Sequence, residues 1–175
     1  MQKIALARSP IAFLAPDALF AGIDRLADRL GTSVAPVATR EQLQACPPHS
    51  LGRAWIDLVT ANGYPLLTSG PRRKQLHDAI HILTGYGTDD WGELEVQLFL
   101  LGCKFRSFHL PIMAGLLRRL WVAGELKGPW RDRVRAAYDR GQVAAATFDP
   151  DTWPAEYLLD MPIATVQDCL GILPD

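Results

Sequence analysis

Apolar residues in this chain recur with a period near 3.6, not 2, and breaks in that rhythm fall at Gly and Pro. A first helix is predicted over residues 16–30, where Leu19, Phe20, Ile23, Leu26 and Leu30 share helical spacing ahead of Gly31. Residues 32–38 read as a loop or short extended piece. Thr39 then caps a brief helix through residue 45, which Cys46-Pro47-Pro48 ends. Residues 49–61 form the next predicted helix, and Asn62-Gly63-Tyr64-Pro65 a turn. Pro71 is placed to open a helix over residues 72–83, with Gly85 and Gly87 breaking it.

Thr88, Asp89 and Asp90 offer N-caps for a long apolar helix from Trp91 to about residue 108, and Pro111 opens another to residue 126. In the latter, Ile112, Met113, Leu116, Leu117, Leu120 and Trp121 fill about half the circumference while Arg118 and Arg119 face away. A basic helix is expected over residues 130–140. Two short ones follow, over 154–159 and 162–170, with Gly171 as stop. No segment alternates like a strand. The predicted fold is all-α: one domain across residues 1–175, a helical bundle of about seven to nine helices.

Composition narrows the setting. A length of 175 residues, 49% hydrophobic and 21% charged, suits one domain with a real core and not a disordered chain. A net charge of −1 gives no general attraction to nucleic acid, so none is expected as a partner. Cys46, Cys103 and Cys169 form no CxxC pair and read as separate reduced thiols. Arg8, Ser9 and Pro10 interrupt the apolar start, which is not read as a cleaved signal. Charges and Pro111 break the long apolar zone of residues 94–126, so no spanning helix is expected.

The stretch HDAIHILTGYGTDDWGE carries the chemistry. It spells HDxxH, then eleven residues, then Glu: His77, Asp78, His81 and Glu93. Two imidazoles and two carboxylates make a ligand set for a divalent metal. His77, Asp78 and His81 share one arc of a helix, and the glycine break lets an antiparallel return bring Glu93 back. Bland readings compete. Asp90 and Glu93 have capping-box spacing, and the two histidines could be buried polar residues or part of a solvated face beside Arg72, Arg73 and Lys74. Those three cations could instead receive a carboxylate or an anionic headgroup. An HD-type phosphohydrolase using His49, or an HExxH-like protease with Asp78 in place of Glu, explains less. His109 reads as a helix-junction residue, and Trp91 as a wall beside Glu93.

With HDxxH-x11-E in view, the chain resembles the Coq4 family of ubiquinone-biosynthesis proteins, whose hallmark is that pattern. Pro47–Trp55 (PPHSLGRAW), Gly92–Leu101 (GELEVQLFLL) and Tyr157–Ile172 (YLLDMPIATVQDCLGI) are similar to its flanking segments, so the resemblance spans residues 46–172. The loop ILTGYGTDDWGE departs from the family's usual LLGMPTNxLGE, Asp89 and Asp90 add acidity there, and Gln167 stands where Arg is common.

The resemblance implies that His77, Asp78, His81 and Glu93 hold a divalent metal ion, zinc most commonly, with iron or manganese also compatible. It implies oxidative decarboxylation at the ring carboxylate of a polyprenylated hydroxybenzoate, or a non-catalytic role as a prenyl-lipid-binding scaffold for other quinone-biosynthesis enzymes. A prenyl tail needs an apolar groove, for which Phe99, Phe105, Phe108, Ile112, Met113, Leu116 and Leu120 are candidates, although such a stripe is also ordinary core. A homodimer and peripheral contact with the inner face of a bacterial membrane, from the cytoplasm, complete the expectation.

Overall fold

The computed structural model describes residues 16–173, so the reading of the N-terminal segment as no cleaved signal lies outside the described residues. Within them the chain is all-helical: α1 (Pro16–Leu30), α2 (Arg40–Ala45), α3 (Leu51–Asn62), α4 (Arg72–Gln75), α5 (His77–Thr84), α6 (Asp90–Cys103), α7 (His109–Val122), α8 (Trp130–Ala144) and α9 (Ile163–Leu170), with a 3₁₀ turn over Ala155–Tyr157. Only two isolated bridges, Ser33 with Pro71 and Ser50 with Pro162, have β character among the described residues.

Local chemistry explains most of these ends. Thr39 and Gln42 form a capping box that starts α2. Gly63, Gly85 and Gly171 close α3, α5 and α9 in the left-handed conformation that glycine tolerates. Asp89 caps α6, its side chain accepting from the Gly92 N–H at 2.8 Å.

Helix α6 is the centre of the bundle. Nearly every residue from Trp91 to Leu100 is buried, because α7 and α8 cover it from different sides and α5 packs near its start. The approach to α8 is close enough to require glycine on both helices. A Cβ at Gly141 would overlap the Phe99 carbonyl, and one at Gly102 would overlap the Tyr138 oxygen. Trp55, Phe99 and Phe148 are the bulkiest fully buried side chains of a single core, and no described helix is long and apolar enough to cross a membrane.

Several boundaries differ from expectation, among them the end of α7 at Val122 and not 126. The helix predicted over 49–61 starts at Leu51, because His49 has φ 65°, outside right-handed helical space, and Ser50 supplies the cap. The helix predicted over 72–83 is interrupted at Leu76 (φ −88°, ψ 0°). The short piece before the break is tethered elsewhere: Gln75 accepts from the Val37 N–H at 2.9 Å and donates to the Gly70 carbonyl at 3.2 Å. The helix expected to reach residue 108 stops at Cys103, where Lys104 turns extended and reaches Asp149 (2.6 Å) and Asp151 (3.1 Å). The next helix begins at His109, two residues before Pro111, which still sits in the first turn where its missing N–H costs nothing. The basic helix runs on to Ala144, and the segment expected as a helix over 154–159 is only the 3₁₀ turn.

Candidate metal centre

The α5–α6 turn brings three side chains to one point. His77 and His81 lie one turn apart on α5, with ring centroids 4.9 Å apart. The cap at Asp89 starts α6 so that Glu93 falls in its first turn, facing them. Glu93 Oε2 stands 3.1 Å from His77 Nε2, Glu93 Oε1 stands 3.3 Å from His81 Nε2, and the two Nε2 atoms are 3.3 Å apart. Glu93 does not serve as the capping-box residue, since the first-turn N–H is satisfied by Asp89 and its own carboxylate is turned to the histidines.

Hydrogen bonding fixes what this trio can hold. His81 is buried, and its Nδ1 lies 3.2 Å from the Tyr86 carbonyl, which can only accept. Nδ1 therefore carries a proton, and Nε2 is the ring nitrogen turned toward the Glu93 carboxylate and His77 Nε2. Acceptors at such spacing repel unless a proton or a cation lies between them. Two donors about 2.1 Å from one cation at near-tetrahedral angles stand roughly 3.2–3.4 Å apart, so the spacing here fits one small ion. His77, His81 and Glu93 form a group that could hold a metal ion, and the His81–Tyr86 contact is the outer support such a histidine ligand needs.

The electrostatics agree. Burial alone would raise the Glu93 pKa, but hydrogen bonds and charge from His77 and His81 outweigh it and hold the carboxylate well below its usual range. Burial would lower the His77 pKa, yet Glu93 and then Asp78 raise it above the ordinary value. Asp78 is pushed up, chiefly by burial and further by Glu93, against the pull of His77 and His81.

The other residues singled out in the sequence lie elsewhere. Asp78 is not one of the three convergent groups; it is buried on the side of α5 that meets Trp55 of α3. Arg72 is bound to Glu156 and donates to the Trp153 carbonyl at 2.5 Å, and Lys74 pairs with Asp24 at 2.5 Å. Arg73 is buried in the fold, not on a solvated basic face. Met113 and Leu116 lie on the buried side of α7, whereas Phe105 and Phe108 are exposed. Trp91 carries the guanidinium of Arg133 4.6 Å above its ring, and Arg133 in turn holds the buried Glu95 through two bonds of 2.5 and 2.7 Å.

One polar cluster was not foreseen. Arg73 Nη1 lies 3.0 Å from His109 Nε2, and His109 Nδ1 lies 2.6 Å from Gln97 Oε1. Arginine can only donate, so His109 is neutral, accepting at Nε2 and donating at Nδ1 to the amide oxygen. Burial and the Arg73 charge push its pKa down to about 3. Arg73 also donates to the Leu100 and Lys104 carbonyls, both at 3.3 Å, so it ties α4 to the end of α6 and the start of α7. The signal in the sequence was Gln97, a lone uncharged polar residue inside an apolar helix.

No protein-family model matches the chain, and no curated protein matches it. Among solved structures, a candidate ubiquinone biosynthesis protein from Nostoc punctiforme is similar, with a TM-score of 0.62 and 16% identity over 86% of this chain and 74% of that one. At that identity the likeness is one of fold.

Proposed function

We propose that this chain is a metal-dependent protein of the Coq4 type, acting in ubiquinone biosynthesis to remove the ring carboxylate of a polyprenylated hydroxybenzoate. The observation that carries the reading is the convergence of His77 Nε2, His81 Nε2 and the Glu93 carboxylate within 3.3 Å, with the other His81 nitrogen committed to a backbone carbonyl. HDxxH-x11-E and the fold shared with the Nostoc punctiforme protein support the choice of pathway.

His77, His81 and Glu93 would hold the cation, which when bound supplies Lewis acidity toward a carboxylate or phenol oxygen, and redox chemistry if it is iron or manganese. The protein's own contribution is positioning and proton control. The Tyr86 carbonyl fixes the His81 tautomer and ring plane. Burial raises the Asp78 pKa, and its carboxyl backs the ligand helix against Trp55 of α3. Arg72, Arg73 and Lys74 are engaged within the fold, so the reading does not rest on them as carboxylate receptors.

The test is metal content by mass spectrometry on gently purified protein, beside His77→Ala and Glu93→Gln, followed by turnover of a prenylated hydroxybenzoate under oxygen. Near-stoichiometric metal lost in both variants, with turnover lost in folded Glu93→Gln, is expected. Normal turnover by a stably metal-free His77→Ala/His81→Ala protein would sink the proposal. Inert protein that co-purifies with prenyl lipid and quinone enzymes would replace it with the scaffold reading.

A further inference from the structure

A hydrogen-bond chain of fixed direction runs beside the metal centre. Arg73 has donors only, so its contact with His109 Nε2 at 3.0 Å makes that nitrogen an acceptor. His109 Nδ1 then carries the ring proton and donates it to Gln97 Oε1 at 2.6 Å. With Oε1 assigned in this way the amide cannot be flipped, and Gln97 Nε2, with its two N–H groups, is the last link. Gln97 is only 6% exposed, and among the described residues Nε2 has no acceptor.

The other end of the chain is anchored. Arg73 donates to the Leu100 and Lys104 carbonyls, both at 3.3 Å, and its Nε lies 3.4 Å from Asp151 Oδ1. Three helices therefore hold the amide: α4 through Arg73, α7 through His109, and α6 through Gln97 itself.

The chain adjoins the site. Gln97 stands one turn along α6 from Glu93, and residues four apart on a helix share a face with Cβ atoms about 5–6 Å apart. Arg73 precedes His77 by the same four residues on the opposite wall. His109 is near enough to His77 for a charge there to lower its pKa.

We propose that Gln97 Nε2 is a substrate-binding donor of the metal centre, taking one oxygen of a carboxylate whose other oxygen the cation binds. This rests on His77, His81 and Glu93 holding that cation, and it names the side chain that would hold the acid. The ligand class follows from the two holders. A carboxylate has an oxygen for each, whereas a phenolate spends its single oxygen on the cation. The nearby cations are engaged within the fold, Arg72 with Glu156 and Lys74 with Asp24, so an uncharged donor is what this seam offers. A donor already oriented by its own partners needs no reorganisation when the acid arrives.

The experiment titrates the zinc-loaded full chain with benzoate, beside Gln97→Met and Gln97→Glu. Calorimetry gives the affinity, and NMR follows the Gln97 side-chain amide. Gln97→Glu keeps an acceptor for the His109 Nδ1–H while it removes the donors. Benzoate is expected to shift the amide signal of the parent, and to bind each variant about 10–100-fold more weakly although both still take up zinc. Unchanged benzoate affinity in zinc-loaded variants would overturn this proposal alone, as would a zinc-loaded parent that binds no benzoate. An amide signal that moves with zinc and not with benzoate would also overturn it, and would assign the amide to Glu93. That signal is read in the parent, so it decides the matter even if a variant fails to fold. A parent that takes up no zinc would overturn the metal reading, and the role of Gln97 with it.

Discussion

Replacing Gly92 by alanine should damage the metal centre without touching a ligand. A Cβ on Gly92 would overlap the backbone oxygen and carbon of Gly87 and stand 2.6 Å from its nitrogen. Backbone cannot rotate away as a side chain does, so the Gly85–Gly87 loop must move or α6 must tilt. Overpacking of this kind costs about 1–3 kcal/mol. For a chain of this length each kcal/mol lowers Tm by roughly 2–4 °C, so a fall of about 2–12 °C is expected. The same displacement reaches the site twice. Tyr86, whose carbonyl orients His81, is the residue before Gly87, and Glu93 is the residue after Gly92. Loss of such outer support typically weakens metal affinity about 10–100-fold. Chelator-competition titration with zinc or iron(II), paired with thermal unfolding of the metal-free protein, measures both effects. Gly22→Ala is the control, since nothing lies near its Cα and alanine should stabilise that helix by about 0.5–1 kcal/mol. Wild-type Tm and affinity in Gly92→Ala would show that this contact does not position the site.

Two further outcomes are expected. In metal-free protein the raised His77 pKa contributes stability that is full below about pH 6.5 and is lost as pH rises through the folded value, whereas the depressed Glu93 pKa contributes stability lost only in acid, below about pH 4.3. Denaturant unfolding across pH 4 to 9 should therefore show a decline on the alkaline side of this window that Glu93→Gln flattens; the same decline in that variant would refute the assignment. His109→Leu should cost about 1–3 kcal/mol, because Arg73 and Gln97 lose their buried partner. In the parent, a His109 NMR signal titrating between pH 5 and 8 would contradict the neutral tautomer.

Much of the fold was legible because helices are written locally. The Thr39 capping box, the Asp89 cap and the closing glycines each act within one turn, and the 3.6 period needs only neighbouring residues. Two of the boundaries that differed are set from far away. Lys104 leaves the helix toward aspartates 45 and 47 positions later in the chain, and Gln75 is held by a loop 38 residues earlier. Neither partner can be seen from the helix's own sequence.

The site divides in the same way. By itself the sequence determined that two histidines share one face of a helix and that a glycine-broken, Asp-capped return follows with a glutamate in its first turn, because spacing on a helix fixes direction. Only the tertiary structure decided which carboxylate meets the imidazoles. Asp78, next to His77 in the chain, is turned by about 100° per residue toward α3, while Glu93 reaches both rings across the α5–α6 turn. It also decided that Arg72, Arg73 and Lys74, three neighbours of one charge, go to Glu156, His109 and Asp24. Charge and period say that a side chain needs a partner; the packing of the helices chooses which one comes within reach.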